Sequence, residues 1–207
     1  IVDARIHDMR GKIPDDKRMF TNVYLETTHM PARFQYTQRH EAEICEEETM
    51  HRRAVAFKYV SHEMVFLPMR VQTHWFLVVV NAYLRTVQVL NSDKQFVGKI
   101  VQQVRNMVEG LHCYLDIIQN DEKEDYHRWK DFNVKTWDID MLDGLPQQED
   151  RTSSGLFMLK YMEHWNGYRL QKGFTQNLID EFRSKLAAIL VNSVFNEEQT
   201  MKGSPEI

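Results

Sequence analysis

Residues Pro146–Trp165 read PQQEDRTSSGLFMLKYMEHW, and the rest of the chain organises around them. The stretch opens with polar turn residues from Gln147 to Ser154 and passes through Gly155. It then turns amphipathic, with Leu156, Leu159 and Met162, alongside Phe157, Met158, Tyr161 and Trp165, at helical spacing. Ser154 therefore stands at the mouth of a buried helix. Free backbone N–H groups and the positive end of the helix dipole at such a place stabilise a thiolate nucleophile or a developing oxyanion. The residue found there is a serine.

Outward from this stretch, the 207 residues are 43% hydrophobic, enough for a full core, and residues 1–207 read as a single domain. A net charge of −4 without a Lys/Arg stripe argues against a general nucleic-acid binder. Cys45 lies in an acidic helical stretch and Cys113 inside an apolar helical pattern. Far apart, they read as free thiols of a reducing compartment and not as a disulfide framework. No apolar run reaches membrane-spanning length and nothing resembles a signal peptide, so no membrane partner is expected. The chain starts at Ile1 without Met and reads as a fragment.

The centre carries the β signal. Met64–Pro68, His74–Val80 and Thr86–Leu90 are rich in β-branched and aromatic residues and read as three strands of one sheet. Residues 81–85 join the last two as an antiparallel hairpin with Asn81 as a turn residue. The unbroken apolar run Phe76–Val80 calls for helices on both faces of its strand. Ile1–Met9 reads as the end of a first helix, Phe20–Glu26 as either helix or edge strand, and Arg39–Ala56 as an exposed helix whose Glu46, Glu47 and Glu48 form a solvated face. Ile100, Val104, Met107, Val108, Leu111 and Leu115 recur at helical intervals within Gln95–Ile118, a long helix with a break expected at Gly110. Asp121–Asp125 reads as a solvated loop, Phe132–Ile139 as a strand before the turn Asp143-Gly144, Thr175–Asn192 as a last amphipathic helix and Gly203–Ile207 as a frayed tail. The fold class is α+β, with a mixed, mainly antiparallel central sheet packed by helices.

Nine histidines invite a metal, but there is no paired-cysteine motif, and His62-Glu63 lacks the second His of a zinc-protease helix. Neither metal nor cofactor is expected. Gly98-Lys99 has no glycine-rich loop before it, and Ser154 lacks both glycines of a serine-hydrolase elbow. What remains is His74 on the sheet and Ser154 at the helix mouth. A lone His opening a strand is more often structural than catalytic, and Asn91 or Gln148 alone is an ordinary turn residue. Read together they form a set. Asn91, ending the strand beside His74, is placed to accept the imidazole Nδ1–H and hold the tautomer a general base needs, and Gln148 is placed to donate to an oxyanion alongside the Ser154 N–H.

These residues resemble the ubiquitin-like-protein-specific cysteine proteases, which include the SUMO proteases and their plant relatives. The resemblance runs from Ile1 to about Trp165 and is carried by His74-Trp75 within VQTHWFLVVVN, by VQVLNS, and by PQQ followed by SGLFMLKYMEHW. In that family the residue before the glycine is the nucleophilic Cys, and a Gln six residues earlier serves the oxyanion hole. Those positions are Ser154 and Gln148. The usual orienting Asp is matched by Asn91, with Asp93 a weaker alternative two residues further on. The family also carries a Trp near the domain start that, with the Trp after the catalytic His, encloses the substrate's Gly-Gly tail. No Trp precedes Trp75, and Ile1–Ala4 resembles the sequence just after that residue, so truncation is the expected reason.

The resemblance implies a papain-like cysteine protease fold, a ubiquitin-like modifier such as SUMO or its conjugates as partner, cleavage after Gly-Gly, Trp75 against the tail, and an intracellular setting, nucleus or cytoplasm. A thiol becomes a thiolate beside an imidazolium and a helix N-terminus, whereas a hydroxyl has no such accessible anion. Little or no turnover is therefore expected with Ser154, which reads as an engineered Cys-to-Ser exchange ahead of a natural loss. The alternatives are a non-catalytic pseudoprotease module that binds a modifier or another partner, and an acyltransferase on the same scaffold, for which no acyl-CoA feature is visible.

Overall fold

The computed structural model describes residues 1–12, 23–37, 44–119, 127–193 and 196. Five strands form one sheet in the order β1 to β5: Val23–Leu25, Met64–Val71, His74–Asn81, Thr86–Leu90 and Asp138–Met141. The central pairs β2–β3 and β3–β4 are antiparallel, while the edges β1–β2 and β4–β5 are parallel. The expected mixed, mainly antiparallel sheet is thus present, and Val23–Leu25 form an edge strand, residues 20–22 of that segment lying outside the described residues.

Alternation along β2 and β3 builds two cores. Val65, Leu67, Phe76, Val78 and Val80 face one side, where they pack with α2 (His29–Thr37), α3 (Glu46–Val60) and α4 (Val97–Asp116). Met64, Phe66, Leu77 and Val79 face the other, against α1 (Val2–Lys12), α5 (Ser154–His164) and α6 (Gln176–Val191). Helices on both faces explain why Phe76–Val80 carries no polar residue. Pro68 is tolerated within β2 because β1 pairs only with Met64–Phe66, leaving the edge open at the proline. A two-residue turn, Gln72-Thr73, joins β2 to β3 with Gln72 at φ 56°, and Asn81 Oδ1 accepts the Leu84 N–H at 3.1 Å to close the next hairpin.

Several expectations need correction. The α4 helix is not broken at Gly110; a Cβ there would lie 1.9 Å from the Phe34 carbonyl oxygen, so the glycine lets α2 and α4 approach. No strand runs from Phe132 to Ile139. Buried Phe132, Val134 and Trp137 lie around a 3-10 turn at Val134–Thr136, and the strand begins at Asp138. The acidic face of α3 is only partly solvated, since Glu48 pairs with Arg33 of α2 and, at 2.8 Å, with Arg52. The amphipathic α6 turns Ile179, Phe182 and Leu186 inward and leaves Leu178 exposed. The α2 helix had no counterpart in the sequence reading. Residues 39–43, 121–125 and 203–207 of the expected helix, loop and tail lie outside the described residues. No helix among the described residues is long and apolar enough to cross a membrane.

Candidate active site

Topology gathers the site at one end of the sheet. Because β3 runs antiparallel to β4, its first residue, His74, lies beside the end of β4 and the following Asn91. Because β5 runs parallel to β4, it ends at the same side, so the segment after it returns past Asn91 before entering α5. The structure therefore brings His74, Asn91, Gln148 and Ser154 to one sheet end.

His74 is buried, and its Nε2 lies 2.7 Å from Asn91 Oδ1. This corrects the expected contact through Nδ1: the ring is turned the other way. Asn91 also accepts the Asp93 N–H at 3.2 Å and donates through Nδ2 to the Asp93 carbonyl at 2.6 Å. A carbonyl can only accept, so Nδ2 must face Asp93 and Oδ1 must face His74. Nε2 then carries the proton and, in the neutral ring, Nδ1 is the free base. Asp93 engages Asn91 through its backbone, while its carboxylate caps the Gln95 N–H at 2.9 Å. Phe96 stacks on the imidazole at 4.4 Å between centroids and 11° between planes. Burial lowers the His74 pKa below its ordinary value, opposed by the Asn91 hydrogen bond and the Asp93 charge.

On the helical side, Ser154 is the first residue of α5 and only 3% exposed. Leu156 and Phe157 both donate to the Ser153 carbonyl, so the Ser154 and Gly155 amides lie ahead of the first helical bonds. The Ser154 Oγ accepts the Trp75 backbone N–H at 3.1 Å, and among the described residues no hydrogen bond joins it to His74. Gly155 packs closely against Trp75, whose Cδ1 would lie a tight 3.3 Å from an added Cβ. The outer face of Trp75 meets the Arg70 guanidinium 5.6 Å from its ring centroid.

Gln148 is anchored twice by Ser92, which accepts its N–H through the backbone carbonyl at 2.9 Å and donates its hydroxyl to Oε1 at 3.1 Å. With Oε1 occupied, Nε2 is the free donor. Neighbouring Gln147 holds the Asn91 and Leu145 carbonyls at 3.0 and 3.1 Å, and Tyr161 of α5 donates to the Pro146 carbonyl at 2.5 Å. A cavity of about 280 Å³ is lined by His74, Asp93, Phe96, Gln148 and Arg151. Sequence reasoning passed over Ser92, Gln147 and Phe96. The only signal for the first two was adjacency, Ser92 following Asn91 and Gln147 preceding Gln148; Phe96 carried none.

An N–H-bearing helix start, an imidazole with its free nitrogen defined and a side-chain amide with its donor free suit acyl transfer through a tetrahedral oxyanion. The model of the Ulp1 protease family, C-terminal catalytic domain, matches residues 18–193. This chain belongs to the Ulp1 protease family. Among curated relatives of this Ulp1-family chain, ubiquitin-like-specific protease 1A of Arabidopsis thaliana is 26% identical over 125 residues, covering 60% of the chain and 22% of the relative. Ubiquitin-like-specific protease ESD4 of the same plant is 26% identical over 135 residues, covering 65% and 25%. The chain thus spans about a quarter of the length of either. Solved Ulp1-type domains share its fold. The SUMO protease Ulp1 with its catalytic cysteine oxidised to a sulfinic acid superposes with a TM-score of 0.55 at 14% identity, over 92% of this chain and 74% of the other. The C-terminal Ulp1 protease domain in complex with Smt3, the yeast ortholog of SUMO, gives 0.50 at 14% identity, over 93% and 73%.

Proposed function

We propose that this is the catalytic domain of a cysteine-type peptidase and isopeptidase that cleaves after the Gly-Gly tail of a ubiquitin-like modifier such as SUMO, silenced by serine at position 154. The observation that carries this reading is the Asn91 lock, which commits His74 Nε2 and leaves Nδ1 as a defined free base. With cysteine at 154, Nδ1 takes the thiol proton and the thiolate attacks the carbonyl carbon of the terminal glycine. Gln148 Nε2 and the backbone N–H of residue 154 hold the oxyanion. His74 then returns its proton to the departing amine, and water, deprotonated by the same ring, releases the modifier from the thioester. Trp75 covers the glycine tail and excludes larger side chains.

Serine stops this cycle at its first step, because the hydroxyl is not ionised by a neighbouring imidazolium. Its hydrogen bond from the Trp75 amide, and none with His74, favours a second reading in which the chain as it stands binds a modifier without cleaving it. The Smt3 complex of a domain with this fold supports the choice of partner. The test is S154C against fluorogenic substrates ending in modifier tails. Turnover at least roughly 10³-fold above the parent chain is expected. No turnover with any modifier would sink the catalytic reading, and retained modifier binding by the parent chain would leave the binding module standing.

A further inference from the structure

The turn bearing the oxyanion donors is gripped by α6, which the sequence presents only as an amphipathic cover. Gln176, the first residue of α6, is 8% exposed. Its Oε1 accepts the Glu149 N–H at 3.0 Å, and its Nε2 donates to Ser153 Oγ and Asp180 Oδ1, both at 3.1 Å. About two turns later on the same helix, the Arg183 guanidinium donates to Ser153 Oγ and, at 3.2 Å, to Asp150 Oδ2. Ser153 Oγ itself donates to Asp150 Oδ2 at 2.6 Å, so its one proton and both lone pairs are engaged. Asp150 Oδ1 accepts the Thr152 and Ser153 amides at 3.1 and 2.9 Å. Burial opposes the Asp150 charge, yet the bonds from Ser153, Thr152 and Arg183 hold its carboxyl well below the usual carboxylate range.

The placement of these contacts matters more than their number. Glu149 directly follows Gln148, and Ser153 directly precedes Ser154. Gln176 alone therefore holds the inner neighbours of both oxyanion donors, and Arg183 braces the Asp150–Ser153 span between them. The apolar face of α6, Ile179, Phe182 and Leu186, already supplies its packing against the core.

We propose that Gln176 and Arg183 are positioning residues for the oxyanion hole, setting the spacing between Gln148 Nε2 and the N–H of residue 154. Neither touches substrate, and the inference rests on the catalytic reading of position 154. The test uses S154C, with Q176L or R183M added, and two reagents that react with the same thiolate. p-Nitrophenyl acetate is attacked at its carbonyl carbon and passes through a tetrahedral oxyanion, which expels p-nitrophenolate and leaves an acetyl thioester. Iodoacetamide is attacked at its methylene carbon and expels iodide without forming an oxyanion. The parent chain supplies the background from Cys45 and Cys113, neither of them in a disulfide.

Acylation is expected to fall about 10- to 100-fold in either variant while alkylation stays within about 2-fold. Acylation unchanged, or both rates falling together in a folded variant, overturns the proposal. Arg183 is half exposed, so R183M keeps the test open should Q176L fail to fold. Failure on every modifier substrate with acylation by S154C intact would sink the modifier reading and leave this inference standing. Acylation of S154C no faster than the parent background would overturn the hole and its positioning together.

Discussion

The two halves of the site are wired in different ways. The base half is sheet-borne: His74 opens β3, Asn91 directly follows β4, and the backbone at Asp93 fixes the Asn91 amide. The acceptor half is a turn, residues 148–153, suspended between Ser92 on one side and α6 on the other before it enters α5. Strand pairing places the first half through contacts close along the hairpin. The second half depends on partners tens of residues away, so it is the half that a remote substitution can loosen.

The largest expected effect breaks the acceptor half directly. In the S154C background, Q148A removes the side-chain donor, and kcat should fall by roughly 10²- to 10³-fold with KM little changed. A fall confined to KM would place Gln148 in binding instead. A smaller effect sharpens the base half. In the parent chain, burial holds His74 below the ordinary imidazole pKa near 6.5, so the unfolded chain takes up the proton more readily and stability declines as pH falls below about that value. N91D places a carboxylate at Nε2–H, which favours the imidazolium and should raise the His74 midpoint in an NMR titration. An unmoved midpoint would remove Asn91 from that role. Smallest is S92A, which frees Gln148 Oε1 but keeps the backbone bond; a loss of about 3- to 10-fold in kcat is expected, with the His74 midpoint unchanged. Equal damage to both readouts would mean that the halves are not separately wired.

This division also explains what could be read from the chain. The run HWFLVVV announces a strand covered on both faces, and the apolar spacing after Gly155 announces α5, because periodicity records burial directly. His74, Asn91, Gln148 and Ser154 were legible as a set because topology brings strand ends and a helix start together. The turned imidazole was not, since only the sheet geometry decides which nitrogen faces Asn91. Gly110 reads locally as a helix breaker, whereas the Phe34 carbonyl it admits is distant in sequence. Gln176 and Arg183 carry no local mark either; their partners in the turn lie 23 to 33 residues earlier.

The central claim, a Ulp1-family catalytic site silenced at one atom, is tested most directly by covalent capture. S154C, S154C/H74A and the parent chain would each be treated with a SUMO-type modifier bearing a C-terminal vinyl sulfone, and the adduct mapped by mass spectrometry. The expected result is one adduct, on residue 154 of S154C, with little or none on the other two chains. No adduct on S154C, or labelling that falls on Cys45 or Cys113 equally in all three, would contradict it.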